Sequence, residues 1–346
     1  MIVYSSASLH QTAVHFVGNP SNDDPLTLSE SLLDIHEDDQ EPILNYLMRA
    51  FKPEAFYHFT TNGNIVYDAV KELFDEKGNF LEASQTIASH LYDVSTHPRI
   101  LAGDLFVARI REVSLHNEYA DCIVLLKAEV EDKFAQVEWA DKHSNVQLTN
   151  GYRLDRIDKA CLIFSLEQGD GYRVLIVDKT NGNSAEAQYW TDAFLELETL
   201  EDSYHFTQQY MQLTKDFVKE ELPENFEVNP AEQIALLNRS SKFFKEKQQF
   251  DFDNFAEEVM QQPEVVSAFR KFTETYSEDP EHSITEQFDI NAAAVKKNAG
   301  MFKSVLKLDK NFHIYVHGNR QLIERGYDDE RGMNYYKVYF SNEQTT

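Results

Sequence analysis

From Ile65 the apolar residues fall at helical spacing, Ile65, Ala69, Val70, Leu73 and Phe74, then Leu81, Ile87, Ala88, Leu91 and Tyr92, with Gly78-Asn79 as the turn between two helices. Beyond Gly103 the rhythm changes. The runs DLFVARIREV, CIVLLKAEV, KACLIFSL and YRVLIVD are short, rich in branched residues, and bounded by turn-forming stretches such as EQGDG and KTNGN. This pattern predicts an antiparallel sheet with helices over residues 1–180. From 185 to 290 the chain is nearly free of glycine, and Phe206, Tyr210, Leu213 and Phe217, then Ile234, Leu237, Phe243 and Phe244, recur at helical steps. Asn229 before Pro230 reads as an N-cap with proline opening the next helix, and Gln262 before Pro263 marks another break.

Period two returns over residues 291–346. Leu306 and Leu308 alternate with Val305 and Lys307, the turn Asp309-Lys310-Asn311 follows, and Phe312, Ile314 and Val316 alternate with His313, Tyr315 and His317. A hairpin is expected there, with MNYYKVYF (333–340) as a further strand after a long, polar and charged connection. The fold class expected is α+β: an N-terminal domain of helices and antiparallel sheet (1–180), a helical module (185–290) and a C-terminal β-hairpin or meander (291–346).

Composition sharpens this picture. Hydrophobic residues make up 42% and aromatics 12% of 346 residues, too much apolar surface for a disordered chain. The net charge is -27. It divides as -14 over residues 1–180, -16 over 181–290 and +3 over 291–346, so the helical module presents an acidic outer surface and only the last segment is basic. Such a balance argues against broad attachment to nucleic acid or anionic lipid and requires any polyanion to meet a local basic surface. Cys122 and Cys161 lie inside apolar runs without metal-ligand spacing, which excludes a disulfide scaffold or zinc ribbon. With no long apolar run and no secretory leader pattern in the first residues, a cytoplasmic protein without membrane attachment is expected.

Candidate chemistry is sparse. No P-loop, GxGxxG, GxSxG or HExxH is present, and no catalytic residue, metal site or cofactor is assigned; an enzyme is not expected. Asp93, Ser95, Thr96 and His97 cluster before Pro98, but these are the side chains that satisfy backbone groups where a helix ends, and that reading is preferred to a hydrolase. His313, Tyr315 and His317 share a strand face by alternation alone, and Asp251 and Asp253 read as a helix start rather than a metal site.

The clearest functional signal is cationic. Lys296, Lys297, Lys303, Lys307 and Lys310 meet only Asp309, and Arg320 and Arg325 follow among Tyr327, Tyr335, Tyr336 and Tyr339. Lysines on a β-ribbon with interleaved aromatics contact phosphates and stack on bases, and His313 and His317 would face the same ligand. The same pattern also fits a solvated strand face whose lysines guard an edge.

Several blocks carry a resemblance: SLHQTAVHFVGNP (8–20), FYHFT (56–60), IASHLYDVSTHPRILAGDLFVARI (87–110), YRLDRIDKACLIFS (152–165), AQYWTDAFL (187–195), AVKKNAGMFKSVLKLDKNFHIYVHG (294–318) and IERGYDDERGMNYYKVYF (323–340). Together they resemble the bacterial nucleoid-associated proteins of the NdpA (YejK-like) type over nearly the whole chain. The resemblance implies a cytoplasmic protein at the nucleoid, associated with DNA and in some members linked to DNA topoisomerases, with no enzymatic activity and no cofactor. Two functions remain open. One is weak, largely sequence-independent DNA binding through Lys296, Lys297, Lys303, Lys307, Lys310, His313, His317, Arg320 and Arg325. The other is an acidic interaction protein that docks Glu220, Glu221 and Glu224 on a basic DNA-processing enzyme such as a topoisomerase. Oligomeric state is not legible.

Overall fold

The computed structural model describes residues 2–116, 118–178, 189–277, 284–302, 305–308, 312–315 and 323–342. The fold is α+β. By internal contacts the chain forms two units, Met1–Leu200 and Glu201–Thr346.

The first unit is organised by one antiparallel sheet. Its strands are β1 (Ile2–Val3), β2 (Ser8–Val17), β3 (Leu26–Thr27), β4 (Tyr57–Phe59), β5 (Gly103–Leu115), β6 (Glu118–Ala128), β9 (Lys159–Phe164), β10 (Arg173–Asp178) and β11 (Leu197–Thr199). Their order is β11-β4-β10-β9-β6-β5-β2-β3, with β1 paired to β5. Period-two alternation sends each central strand into two different cores. Leu105, Val107, Ile123, Leu125, Cys161 and Ile163 enter one, while Ala108, Ile110, Cys122, Val124, Leu162 and Phe164 enter the other. A sheet buried on both faces explains why these runs read as continuously apolar rather than alternating.

Helices close both faces. On the first lie α2 (Ile65–Phe74) and α3 (Phe80–Val94), each opened by an asparagine whose side chain accepts from a first-turn amide, Asn64 from Tyr67 and Asn79 from Glu82. The Asn64 amide also donates to the Leu195 carbonyl at 2.9 Å, tying α2 to the π-helical segment Tyr189–Phe194, which buries Trp190 and Phe194 in the same core. On the second face α1 (Glu37–Met48) buries Leu44, Tyr46, Leu47 and Met48 behind an acidic first turn. One hairpin stands outside the sheet: among the described residues β7 (Asp132–Ala140) pairs only with β8 (His143–Gly151).

Under the first face His15 is buried and carries a fixed tautomer. Its Nδ1 accepts from the Ser29 amide at 3.1 Å, so Nε2 holds the proton and donates to Ser84 Oγ at 2.9 Å. Burial pushes its pKa below the ordinary 6.5. A depressed folded-state value means the neutral ring stabilises the fold fully above the unfolded pKa, and that contribution is lost as pH falls through the folded one. We therefore expect the urea midpoint of the first unit to drop on acidification below about pH 6.5, and to drop less in His15→Gln. Equal slopes in the two proteins would refute the role given to His15.

The second unit is mainly helical, built from α4 (Ser203–Asp216), α5 (Leu222–Asn225), α6 (Pro230–Glu246), α7 (Phe252–Phe255), α8 (Pro263–Tyr276) and α9 (Ala292–Asn298), with π-helical turns at Phe217–Glu221 and Ala256–Met260. The break at Asn229-Pro230 is a capping box: Asn229 accepts from the Glu232 amide, and the Glu232 carboxylate accepts from the Asn229 amide. α8 begins at Pro263, as expected from the Gln262-Pro263 break. The helical module expected over 185–290 needs two amendments: β11 within that range belongs to the first unit's sheet, and β12 (Gln249–Asp251) and β13 (Gln287–Asp289) pair across α7 and α8. Aromatic rings fill the core between them, Phe250 stacking on Phe288 at 4.7 Å and Phe252 on Phe269 at 5.7 Å.

Candidate nucleic-acid interface

The cationic segment grows from a well-anchored helix. Asn291 caps α9 by accepting from the Ala293 and Ala294 amides, and its own amide donates to Thr207 Oγ1 at 3.0 Å. Ala294, Val295 and Asn298 are buried, and Phe302 packs in the aromatic core just beyond. The helical period then leaves Lys296 and Lys297 exposed in the last turn, where the helix dipole favours cations.

Next comes the hairpin, β14 (Val305–Leu308) with β15 (Phe312–Tyr315). Its register sets Lys307 opposite His313 and Leu308 opposite Phe312. Lys303, Lys310, His317 and Arg320 lie outside the described residues, and for Lys307 and His313 the strand position alone is described. The structure thus brings together Lys296 with Lys297, and Lys307 with His313, and places Arg325 on a different ribbon.

That ribbon replaces an expected connection. β16 (Ile323–Asp328) pairs with β17 (Met333–Val338), so the stretch before Gly332 read as a polar link is itself a strand, and MNYYKVYF forms its own hairpin instead of extending the first one. The turn is held by Asp328, whose carboxylate accepts from the Glu330 and Arg331 amides, and by Gly332 in the left-handed region at φ 64°. At Gly326 the half-exposed Tyr335 ring lies across the strand where a Cβ would sit, so a side chain there would push the ring aside. Arg325 is exposed and its Nη2 donates to Asn334 Oδ1 at 3.3 Å. Lys337 sits 5.0 Å from the Tyr339 ring centroid, and the Tyr339 hydroxyl, helped by Glu324, raises its pKa above the ordinary lysine value. Tyr327, Tyr335 and Phe340 are exposed beside these cations.

Charge does not spread evenly over the two hairpins. Residues 291–322 carry six lysines and arginines against the single Asp309, whereas from 323 onward acids outnumber bases. Positive charge is therefore concentrated in residues 291–322, and the second hairpin carries exposed aromatic rings with local cations.

The acidic candidates also converge. Glu220 lies in the π-helical turn and Glu224 on α5, four residues on along nearly continuous helix, both exposed; Glu221, which ends the turn, is half-buried and accepts from Asn225 Nδ2 at 2.8 Å. Phe217, Val218 and Leu222 anchor this stretch in the core.

Elsewhere the polar clusters have structural explanations. Ser95 Oγ donates to the Leu91 carbonyl at 2.6 Å, the His97 carbonyl accepts from Asn19 at 2.9 Å and the Thr96 carbonyl accepts from Ser21, so this turn ends α3 as its composition suggested. Asp251 caps α7 by accepting from the Asn254 amide. Ser84 donates onward to the Leu81 carbonyl at 2.7 Å, the reverse of the polarity a histidine-activated nucleophile needs.

One constellation escaped sequence reasoning. Lys127, Lys159 and Asp178 are register partners in a row at the edge of the first core. Lys127 Nζ donates to the Leu101 carbonyl at 2.7 Å and faces Glu129 at 3.4 Å, Lys159 grips Asp178 at 2.8 and 2.9 Å, and the Tyr189 hydroxyl donates to Glu129 at 3.3 Å. Burial pushes Lys127 below and Glu129 above their ordinary pKa values. Only the lysines inside apolar runs, at LLKAEV and DKACLI, could have signalled it.

A family model described as nucleoid-associated protein YejK matches residues 13–333. The chain belongs to this family. The match spans α9, β14, β15, β16 and the turn that follows, ending at the first residue of β17, so the cationic segment lies within the matched region. No curated protein matches the chain. Among the described residues no helix is long and apolar enough to cross a membrane.

Proposed function

We propose that this nucleoid-associated family member contacts DNA directly, through a small basic footprint made by α9 and the β14–β15 hairpin, and acts in the cytoplasm at the nucleoid. The observation that carries this reading is the segregation of charge: in a chain of -27, six cations and one acid occupy residues 291–322, inside the region the family model matches. Lys296, Lys297, Lys303, Lys307, Lys310 and Arg320 are the phosphate contacts; His313 and His317 belong to the same stretch of sequence, and Arg325 with Tyr327 supplies a second contact from the β16–β17 ribbon. Because the contacts named go to phosphates, which carry no sequence information, binding is weak and largely independent of sequence.

Fluorescence anisotropy with a short duplex and a single strand tests it. Six phosphate contacts give a salt slope of about -5.4, on the order of a 1,000-fold loss of affinity between about 50 and 200 mM salt. Exchanging Lys303, Lys307 and Lys310 together for Glu is expected to abolish binding while leaving the circular dichroism spectrum unchanged. Retention of DNA by that variant would show that the surface is wrong. No binding at the lower salt would move the reading to indirect association, in which Glu220, Glu221 and Glu224 dock on a basic DNA-processing enzyme such as a topoisomerase; the exposed Glu220 and Glu224 on adjacent turns support that second reading.

A further inference from the structure

The β7–β8 hairpin is a two-stranded ribbon with nine residues in each strand, reaching about 30 Å at the usual rise. Its register is fixed by a two-residue turn, Asp141-Lys142, with φ of 43° and 69°, the left-handed geometry that matches strand twist. Alternation then sorts its side chains. One face carries Asp132, Phe134, Gln136 and Glu138 with Asn145, Gln147 and Thr149. The other carries Ala135, Val137 and Trp139 opposite Leu148, Val146 and Ser144, with Lys133 and Asn150 at the base. This second face is apolar, yet Trp139 is 74% and Leu148 67% exposed, and Val137 and Val146 are exposed beside them. An isolated two-stranded ribbon is marginal in water and needs its apolar face covered.

We propose that a second copy of this chain covers it, ribbon on ribbon, across a two-fold axis that passes between the two Val137 side chains.

Three observations select that occupant. The first is shape. Along β7 the face runs small to large toward the tip, Ala135, Val137, Trp139, and along β8 it runs large to small, Leu148, Val146, Ser144. Reversing one ribbon end for end sets Trp139 over Ala135, Leu148 over Ser144, and each valine over its own copy, so bulk meets space at every layer. The second is charge. Two chains of -27 repel, but the apolar face bears no acid: Asp132 and Glu138 point the other way and Asp141 lies in the turn. The antiparallel arrangement also holds the ribbon bases about 30 Å apart, several times the ~8 Å Debye length at physiological salt, so the bodies are screened from each other. The third is area. The four large side chains and their neighbours in two copies cover on the order of 1,000 Å², the lower end of specific interfaces, which fits a reversible dimer. A nucleic acid is not the occupant this face selects, because Lys133 is its lone cation.

Sedimentation velocity of the full chain over a hundredfold concentration range tests the proposal, read alongside acrylamide quenching of tryptophan. The chain has two tryptophans and Trp190 is fully buried, so quenching reports Trp139. We expect a monomer–dimer equilibrium in which quenching falls as dimer forms. Val137→Glu and Val137→Lys, each alone, are expected to weaken association by more than about 100-fold through burial of like charges, and an equal mixture of the two variants to recover dimer because position 137 faces itself. A wild-type chain that stays monomeric throughout overturns the proposal, as does a dimer indifferent to both variants. A dimer lost in the single variants and not recovered in the mixture overturns the end-for-end pairing. The wild-type measurement stands even where a variant folds poorly.

Discussion

Asp178→Ala is expected to destabilise the first unit by about 3–5 kcal/mol, the cost of breaking a buried ion pair by removing one partner. Lys159 is 3% exposed and both of its short bonds, at 2.8 and 2.9 Å, go to the Asp178 carboxylate. Its register partner Lys127 is fully buried, so the deletion leaves two neighbouring ammonium groups under the Tyr189 ring with Glu129 as the remaining carboxylate of the group. Replacing both members, Lys159→Met with Asp178→Leu, removes the charge together with its partner and is expected to restore stability to within about 1 kcal/mol of the parent or above it. Urea titration followed by Trp190 fluorescence measures this, since that indole is buried in the same core. A single variant that loses less than about 1 kcal/mol would mean that water reaches Lys159 and that the pair is a surface one.

The first unit was legible where burial imposes a period. α2, α3, β5, β6, β9 and β10 stand where spacing put them, because the sheet is covered on both faces and its strands can carry little but branched and aromatic residues. α1 was not read from sequence. Its first turn is three acids and Pro42 interrupts its pattern, so its helical character rests on Leu44, Tyr46, Leu47 and Met48 finding the second core, a tertiary event. The β7–β8 ribbon and β16 were missed for the same physical reason. A strand exposed on one or both faces keeps polar residues at alternate positions, and IERGYD is pinned only by the partner strand opposite it.

For the candidate site, sequence located the cations but not their distribution between elements. Lys296 and Lys297 are displayed because Val295 and Phe302 point into an aromatic core, and Arg325 belongs to a separate ribbon because β16 pairs with β17 rather than with the first hairpin. Neither relation has a local signature. The buried row of Lys127, Lys159 and Asp178 shows the limit from the other side, since charged residues in apolar runs become interpretable only when register brings their partners alongside.

The display of Lys296 and Lys297 depends on the rings beneath them, which makes Phe255→Ala the second large effect. Phe255 is fully buried, with ring centroids of Phe243 and Phe250 at 5.1 Å, Phe244 at 5.4 Å and Phe269 at 5.8 Å. Truncation removes edge and face contacts to four rings and opens a cavity, a loss of about 3–5 kcal/mol confined to the second unit. Phe244 also stacks on Phe302 at 6.3 Å, so loosening this cluster frees the anchor that follows α9. Thermal unfolding by calorimetry is therefore expected to show the second unit's transition moved down, while Phe255→Leu, which conserves most of the volume, shifts it by less than half as much. Below that transition DNA affinity is expected to stay near the parent value, because the cations themselves are untouched. If Phe255→Ala weakens DNA binding at low temperature as strongly as the Lys→Glu exchanges do, the cations act as a preorganised surface rather than as a collection of charges, and the salt slope, which counts phosphates, would fall along with the affinity.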